Sequence, residues 1–312
     1  MKNQEGRSNV LLGAIEAGGT KFCCAVGTPD GNVIREILIP TTTPEETMRQ
    51  VIEFFLPQGG KLAAIGVGSF GPIQLNRDLP KYGCITNTPK NGWVDFDLLG
   101  SLQSAFPIPV ALDTDVNVAA LAEVYWGTAQ GLNTFVYITV GTGIGGGALV
   151  EGNILHGLTH PEMGHIRIPH DKIRDPFPGI CPYHGDCLEG LASGPALEAR
   201  WGITANGLPQ EHPAWSLEAE YLAMGCVNWI CTLSPERVIL GGGVMQQRHL
   251  FALIRDRVVL LLKGYLDAPE IIHNIDSFIV PSSLTGRSGI LGALALARLD
   301  LKFREGTFQE MA

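Results

Sequence analysis

The chain has 312 residues, 45% hydrophobic and 17% charged, with 39 glycines and a formal charge of −9. That length suggests about two domains, and the acidic balance without any run of Lys and Arg argues against a nucleic-acid surface. The polar start from Met1 to Asn9 has no signal-peptide core, and no apolar run reaches the about 18 residues that span a membrane. Seven cysteines, an odd number, fit a reducing compartment better than a disulfide framework, so a cytoplasmic protein is expected.

In chain order, an apolar run from Val10 to Ile15 meets Ala17-Gly18-Gly19-Thr20-Lys21, and Phe22 to Val26 resumes it before a turn at Pro29-Asp30-Gly31. This is strand, glycine turn, strand. A helix is predicted from Pro44 to Leu56, strands at Leu62 to Val67 and Val110 to Leu112, and a helix from Val116 to Trp126. The strand–glycine turn–strand pattern returns where Thr134 to Val140 runs into Gly141-Thr142-Gly143-Ile144-Gly145-Gly146-Gly147. A histidine-rich loop from Leu155 to Cys187 follows, then helices at Leu188 to Ala199 and Ser216 to Leu233, and a strand at Arg237 to Leu240 ending in Gly241-Gly242-Gly243. A small-residue helix, Ser288 to Arg298, closes the fold ahead of a polar tail expected to fray. Strands alternating with helices define an α/β protein.

Backbone N–H groups in a glycine turn form a concavity that holds phosphate oxygens. One such turn is ordinary hairpin chemistry, but three in one chain point to a nucleotide: Gly18, Gly19, Thr20 and Lys21; Gly141, Thr142 and Gly143; and Gly241, Gly242 and Gly243, the last suited to adenosine. Neither the P-loop nor the full dinucleotide fingerprint is present.

Leu112-Asp113-Thr114-Asp115-Val116-Asn117 gathers two carboxylates and an amide where a strand becomes a helix. Asp or Asn there can cap the helix. Open α/β sheets also bind ligands at that end of their strands, so Asp115 is the preferred base for activating a hydroxyl toward a γ-phosphate.

Cys181, His184 and Cys187 fall at spacings of three and three, and with one more histidine, His160, His165 or His170, they make a two-sulfur, two-imidazole set suited to structural zinc. The remaining cysteines, Cys23, Cys24, Cys84, Cys226 and Cys231, read as core residues.

These segments together resemble the ROK sugar kinases, and within them the bacterial fructokinase branch, over almost the whole chain. The matching segments are Gly13 to Lys21, Ile138 to Gly147, Asp113 to Asn117, Glu162-Met163-Gly164-His165 and Ile85-Thr86-Asn87-Thr88-Pro89-Lys90-Asn91-Gly92-Trp93. Glu16 stands where many members have Asp, and Asp113 where many have Glu.

The resemblance implies an actin-like (ribonuclease H-like) fold of two domains with a cleft between them. The first is residues 1–114, completed by helix 288–300; the second is 115–287, with a zinc-binding loop at 156–190. It implies Asp115 as base, and Asn87, Asp115, Glu162, His165 and Glu189 as sugar contacts. His165 is favoured as the histidine that joins Cys181, His184 and Cys187 at zinc. The cofactors implied are ATP, Mg2+ and a structural Zn2+, the reaction is phosphoryl transfer to the 6-hydroxyl of fructose, and a homodimer is expected. A broader glucokinase or mannokinase is the alternative; a sugar-sensing regulator of the same family is disfavoured because only about nine residues precede the first strand.

Overall fold

The computed structural model describes residues 10–58, 60–304 and 306. The polar start from Met1 to Asn9 lies outside them, as does the tail at 305 and 307–312. The chain divides into two compact units. Unit 1 takes residues up to Gln130, His156 to His160, and the chain from Arg287; unit 2 takes Gly131 to Leu155 and Pro161 to Gly286.

In unit 1, strands β1 (Leu11–Ala17), β2 (Lys21–Gly27), β3 (Val33–Pro40), β4 (Leu62–Ser69) and β5 (Val110–Thr114) form one sheet in the order β3-β2-β1-β4-β5. Strands β1, β4 and β5 are parallel, while β2 and β3 are antiparallel additions. Alternation along β1 and β2 sends residues to both faces. On one, Ile15, Phe22, Cys24 and Val26 pack against Met48, Val51, Phe54 and Phe55 of α1 (Pro44–Phe55). On the other, Leu12, Ala14, Cys23 and Ala25 meet Ile290, Ala293, Leu294 and Ala297.

Helix α1 begins as its sequence dictates: Thr43 accepts from Glu46 N at 3.3 Å, and Pro44 opens the first turn. Phe55 is wholly buried, so Phe55→Ala would cost about 3 to 5 kcal/mol. Helices α2 (Leu98–Ala105) and α3 (Asp115–Trp126) complete this part of the chain.

Unit 2 holds β6 (Phe135–Val140), β7 (Ile144–Val150) and β8 (Asn153–Ile154), then α4 (Leu188–Ala192), α5 (Gly194–Trp201), α6 (Ala214–Leu233), β9 (Arg237–Gly241), α7 (His249–Leu262), α8 (Pro269–Ile272), α9 (Ile275–Phe278) and β10 (Ile279–Pro281). Its sheet runs β10-β9-β6-β7-β8. Val136, Ile138 and Val140 of β6, with Val238 and Leu240 of β9, pack against α6 through Leu222, Cys226 and Trp229 and against α7 through Leu250, Ile254 and Val258. Helix α10 (Ser288–Arg304) returns to unit 1, where it packs on α3 and β4.

Five expectations change. Cys231, read as a core residue, is exposed, while Cys23, Cys24, Cys84 and Cys226 are buried. The division at residue 114 moves to Gln130, because α3 packs on α10 and β4. His156 to His160 belong to unit 1, so the cysteine-rich loop of unit 2 starts after them. The helix expected from Leu188 to Ala199 is two helices, because Ser193 ends α4 and caps α5 ahead of Pro195, accepting from Ala196 N at 3.4 Å. The last helix continues through residues 299–304, expected to fray, to Arg304, whose guanidinium bonds Asp300 at 2.7 Å.

Candidate active site

In unit 1 the register aligns the ends of three parallel strands. Ala17 of β1 lies beside Ser69 of β4, and Ser69 beside Thr114 of β5. The Gly18–Lys21 turn and Asp115 therefore each start one residue past the same sheet edge. With β4 alone between β1 and β5, they are about 10 Å apart.

The helix-capping alternative for Asp115 does not hold, because Thr114 takes that role and accepts from Asn117 N at 3.1 Å. Asp115 is the first helical residue and half-buried, with Oδ1 accepting from Val116 N at 2.9 Å. Asp113 is a structural anchor. Its Oδ1 accepts from Thr114 N and from Asn117 Nδ2, both at 2.7 Å, and its Oδ2 lies 3.0 Å from His156 Nε2. That contact raises the His156 pKa above its ordinary value.

The first glycine turn is braced from behind. Thr41 N donates to Thr20 O at 3.0 Å and Thr41 Oγ1 donates to Gly18 O at 2.7 Å, while Gly18 N bonds Lys21 O at 3.0 Å. Among the described residues no hydrogen bond occupies the Gly19 or Thr20 amide, as a phosphate nest requires. Glu16, at the end of β1, is buried enough that its pKa rises despite the Lys21 charge nearby, and among the described residues no hydrogen bond or ion pair reaches its carboxylate. Of the two acids, Glu16 has oxygens free of hydrogen bonds among the described residues and would hold a magnesium ion carried on a nucleotide better than Asp113, whose oxygens are already engaged. Asn87 is exposed on the segment between β4 and α2.

In unit 2 the second and third turns lie side by side. Thr139 of β6 pairs with Gly241 of β9, and Gly194 N at the start of α5 donates to Gly141 O at 2.8 Å. Gly242 has φ +91°, and a Cβ there would meet Val140 O at 2.4 Å, so only glycine fits. Glu189, expected as a sugar contact, also braces the second turn: its Oε2 accepts from Ile144 N at 2.9 Å. Its Oε1 lies 3.8 Å from His165 Nε2, and Glu162 Oε2 lies 3.9 Å from the same nitrogen. Burial and the Glu189 charge push the Glu162 carboxyl up to about 7. Gly164 lets this motif press on β7, since a Cβ there would meet Ile144 O at 1.8 Å.

His165, Cys181, His184 and Cys187 bring four donor atoms within 4.8 Å of one another. The two Nδ1 atoms are 3.3 Å apart. Cys181 Sγ is 3.6 Å from His165 Nδ1 and 3.5 Å from His184 Nδ1, and Cys187 Sγ is 3.6 Å from His165 Nδ1. A zinc tetrahedron with Zn–N of about 2.05 Å and Zn–S of about 2.3 Å has N–N edges of about 3.3 Å and N–S edges of about 3.6 Å. The cluster fits zinc.

The competing histidines are committed elsewhere. His160 Nε2 accepts from Ile73 N at 3.1 Å, and His170 lies 3.2 Å from Asp186 and 2.9 Å from Asp175 O. The residues expected to bind nucleotide and sugar thus fall into two sets. Unit 1 holds Gly18 to Lys21, Asn87 and Asp115; unit 2 holds Gly141 to Gly143, Gly241 to Gly243, Glu162, His165 and Glu189. Sequence reasoning missed Thr41, whose only signal is the Thr41-Thr42-Thr43 run before α1, and the bond from Ile144 to Glu189, which has none.

The ROK family model matches residues 12–299. A fructokinase of Pediococcus pentosaceus is 48% identical over 293 residues, covering 94% of this chain and 99% of that one. A fructokinase of Zymomonas mobilis subsp. mobilis is 46% identical over 294 residues, covering 92% and 96%. The crystal structure of a ROK hexokinase from Thermus thermophilus superposes with TM-score 0.75 at 27% identity, covering 94% of this chain and 99% of that one. The chain belongs to the ROK family, and its two α/β units have the actin-like fold of ROK sugar kinases.

Proposed function

We propose that the chain is an ATP-dependent fructokinase that transfers the γ-phosphate of ATP to the 6-hydroxyl of fructose. The observation that carries the phosphotransfer is the shared strand-end edge of unit 1, where a glycine turn with open amides and an acid relieved of capping lie about 10 Å apart. That span suits a sugar hydroxyl approaching a terminal phosphate. Fructose is favoured by the relatives of that name, which are nearly half identical along nearly their whole length.

Asp115 accepts the hydroxyl proton, and Asn87, Glu162, His165 and Glu189 bind the sugar hydroxyls. Gly18 to Lys21 and Gly141 to Gly143 cradle phosphates, with Gly241 to Gly243 against adenosine. Magnesium brought with ATP would screen the phosphate charge, with Glu16 as its protein carboxylate. Zinc at His165, Cys181, His184 and Cys187 would act as a structural clamp, fixing His165 so that Nε2 faces Glu162 and Glu189. A cytoplasmic homodimer belongs to the same proposal and is checked by light scattering.

ADP release with Mg-ATP is to be measured against fructose, glucose, mannose and N-acetylmannosamine, beside Asp115→Asn. The largest kcat/KM should go to fructose, and Asp115→Asn should lower kcat by about a thousandfold. A preference for another hexose would overturn the sugar assignment, and near-normal turnover by Asp115→Asn would overturn the base.

A further inference from the structure

We propose that Lys90 is a catalytic residue whose ammonium lies over the first glycine turn and binds the terminal phosphate of the nucleotide; the proposal rests on the kinase reading above. The geometry lies wholly within unit 1. A Cβ built on Gly19 would stand 3.3 Å from Lys90 Cε, so the ammonium, one bond further along, lies within about 5 Å of that point, beside the turn whose Gly19 and Thr20 amides carry no hydrogen bond among the described residues.

The position is built rather than incidental. Lys90 N donates to Thr88 Oγ1 at 3.3 Å, and Lys90 O accepts from Trp93 N at 3.2 Å. Trp93 is fully buried among Phe22, Phe70 and Phe96. Its Nε1 donates to Thr42 O at 2.8 Å, and the preceding residue, Thr41, bonds Gly18 O and Thr20 O. One two-residue segment therefore holds both the glycine turn and the loop that carries the lysine. Such rigid backing is what a preorganised charge needs.

Lys90 also differs from its neighbours in how its charge is used. Lys81, nearby on the same segment, pairs with Asp95 at 2.8 Å. Lys21, in the turn itself, lies close enough to Glu16 for its charge to act against the rise of that carboxyl's pKa. Lys90 has no acid partner among the described residues, in a chain of net charge −9 that would otherwise repel a polyphosphate.

In the transfer, the hydroxyl oxygen of the sugar forms a bond to the γ-phosphorus. The bond from that phosphorus to the β,γ-bridging oxygen breaks with its electron pair, which leaves on ADP, and the hydroxyl proton passes to Asp115. Lys90 neither gains nor loses a proton. It neutralises the negative charge gathering on the γ-phosphoryl and bridging oxygens.

The test pairs kinetics with equilibrium binding for Lys90→Met and Lys90→Arg. Lys90→Met should lower kcat/KM for ATP by about a hundredfold while the fructose KM moves by less than about twofold. Lys90→Arg, which keeps the charge but not its compact geometry, should recover about a tenth of wild-type activity. A non-hydrolysable ATP analogue should bind Lys90→Met about tenfold more weakly, and adenosine should bind it as it binds the wild type. Unchanged ATP kinetics, or equal weakening for adenosine and the ATP analogue, would overturn the assignment. If the wild type phosphorylated no fructose, the sugar assignment would fail, and the analogue-against-adenosine comparison would still decide Lys90.

Discussion

The first and second glycine turns look alike on paper and are supported by opposite chemistry. Gly18 to Lys21 is held through its carbonyls by a threonine and faced by a lysine without an acid partner among the described residues. Gly141 to Gly143 has a carboxylate, Glu189, on the amide of the next residue and a neighbouring glycine strand end against its backbone. An acid that close would repel a transferring phosphoryl group, whereas a lysine would draw it in. On the proposed reading, two copies of one sequence pattern serve different tasks: the first would meet the charge that moves, and the second would offer a rigid backbone joined to the residues proposed for sugar and zinc.

The largest expected effect lies on the second side. Gly242→Ala needs a side chain at φ +91° with its Cβ 2.4 Å from Val140 O, so it should cost about 3 kcal/mol, read as a lowered urea midpoint. A stable variant with normal ATP affinity would remove the third turn from the scheme.

Next comes Glu189→Ala, which strips the acceptor from Ile144 N and should cost about 1 to 3 kcal/mol and raise the sugar KM. Glu189→Gln should restore stability but not sugar affinity, because an amide oxygen serves Ile144 N while the charge facing His165 is gone. Bound zinc, measured after dialysis, should fall in the alanine variant.

Thr41→Val tests the first side. Loss of the hydroxyl bond to Gly18 O should cost about 1 kcal/mol, which is about fivefold in the ATP KM, with zinc content and sugar KM unchanged. If Thr41→Val and Glu189→Ala shifted the same kinetic parameters, the contrast between the turns would collapse.

The smallest effect is a pH dependence. His156 has its folded pKa raised by Asp113, so its contribution to stability is complete below the unfolded value of about 6.5 and is lost as pH rises through the folded one. Its side chain is 42% exposed, so solvent screening keeps the change under about 1 kcal/mol. His156→Gln should flatten the fall in Tm between about pH 6 and 8; an unaltered slope would place that titration elsewhere.

Where one local rule dominates, the sequence was legible. Thr43-Pro44-Glu45-Glu46 announces α1, and the apolar runs into Gly18 and Gly141 announce the hairpins. Strand β3 escaped notice because it is an edge strand, with Ile34 and Leu38 exposed and Arg35 and Glu36 breaking its apolar run. Helix α2 is only eight residues long, too short for its apolar Leu98, Leu99 and Leu102 to set a helical period, and its sign was the cap at Asp97, which accepts from Gly100 N at 2.7 Å. In the site, Cys181, His184 and Cys187 were readable because three ligands lie within seven residues. Lys90 over Gly19 and Thr41 behind Gly18 join positions far apart in the chain, and such encounters follow from packing, which no spacing rule encodes.

The return of α10 to unit 1 has a consequence for the nascent chain. Leu12, Ala14 and Ala64 lack their packing partners until Ile290, Ala293 and Leu294 have been made. At ribosomal speeds, the 156 residues from Gly131 to Gly286 take roughly eight to thirty seconds to synthesise. During that interval one face of the first sheet is uncovered, so the emerging polypeptide is most exposed to aggregation and chaperone capture in the minute of its birth. A stop codon anywhere before Ser288 would make that vulnerable state permanent.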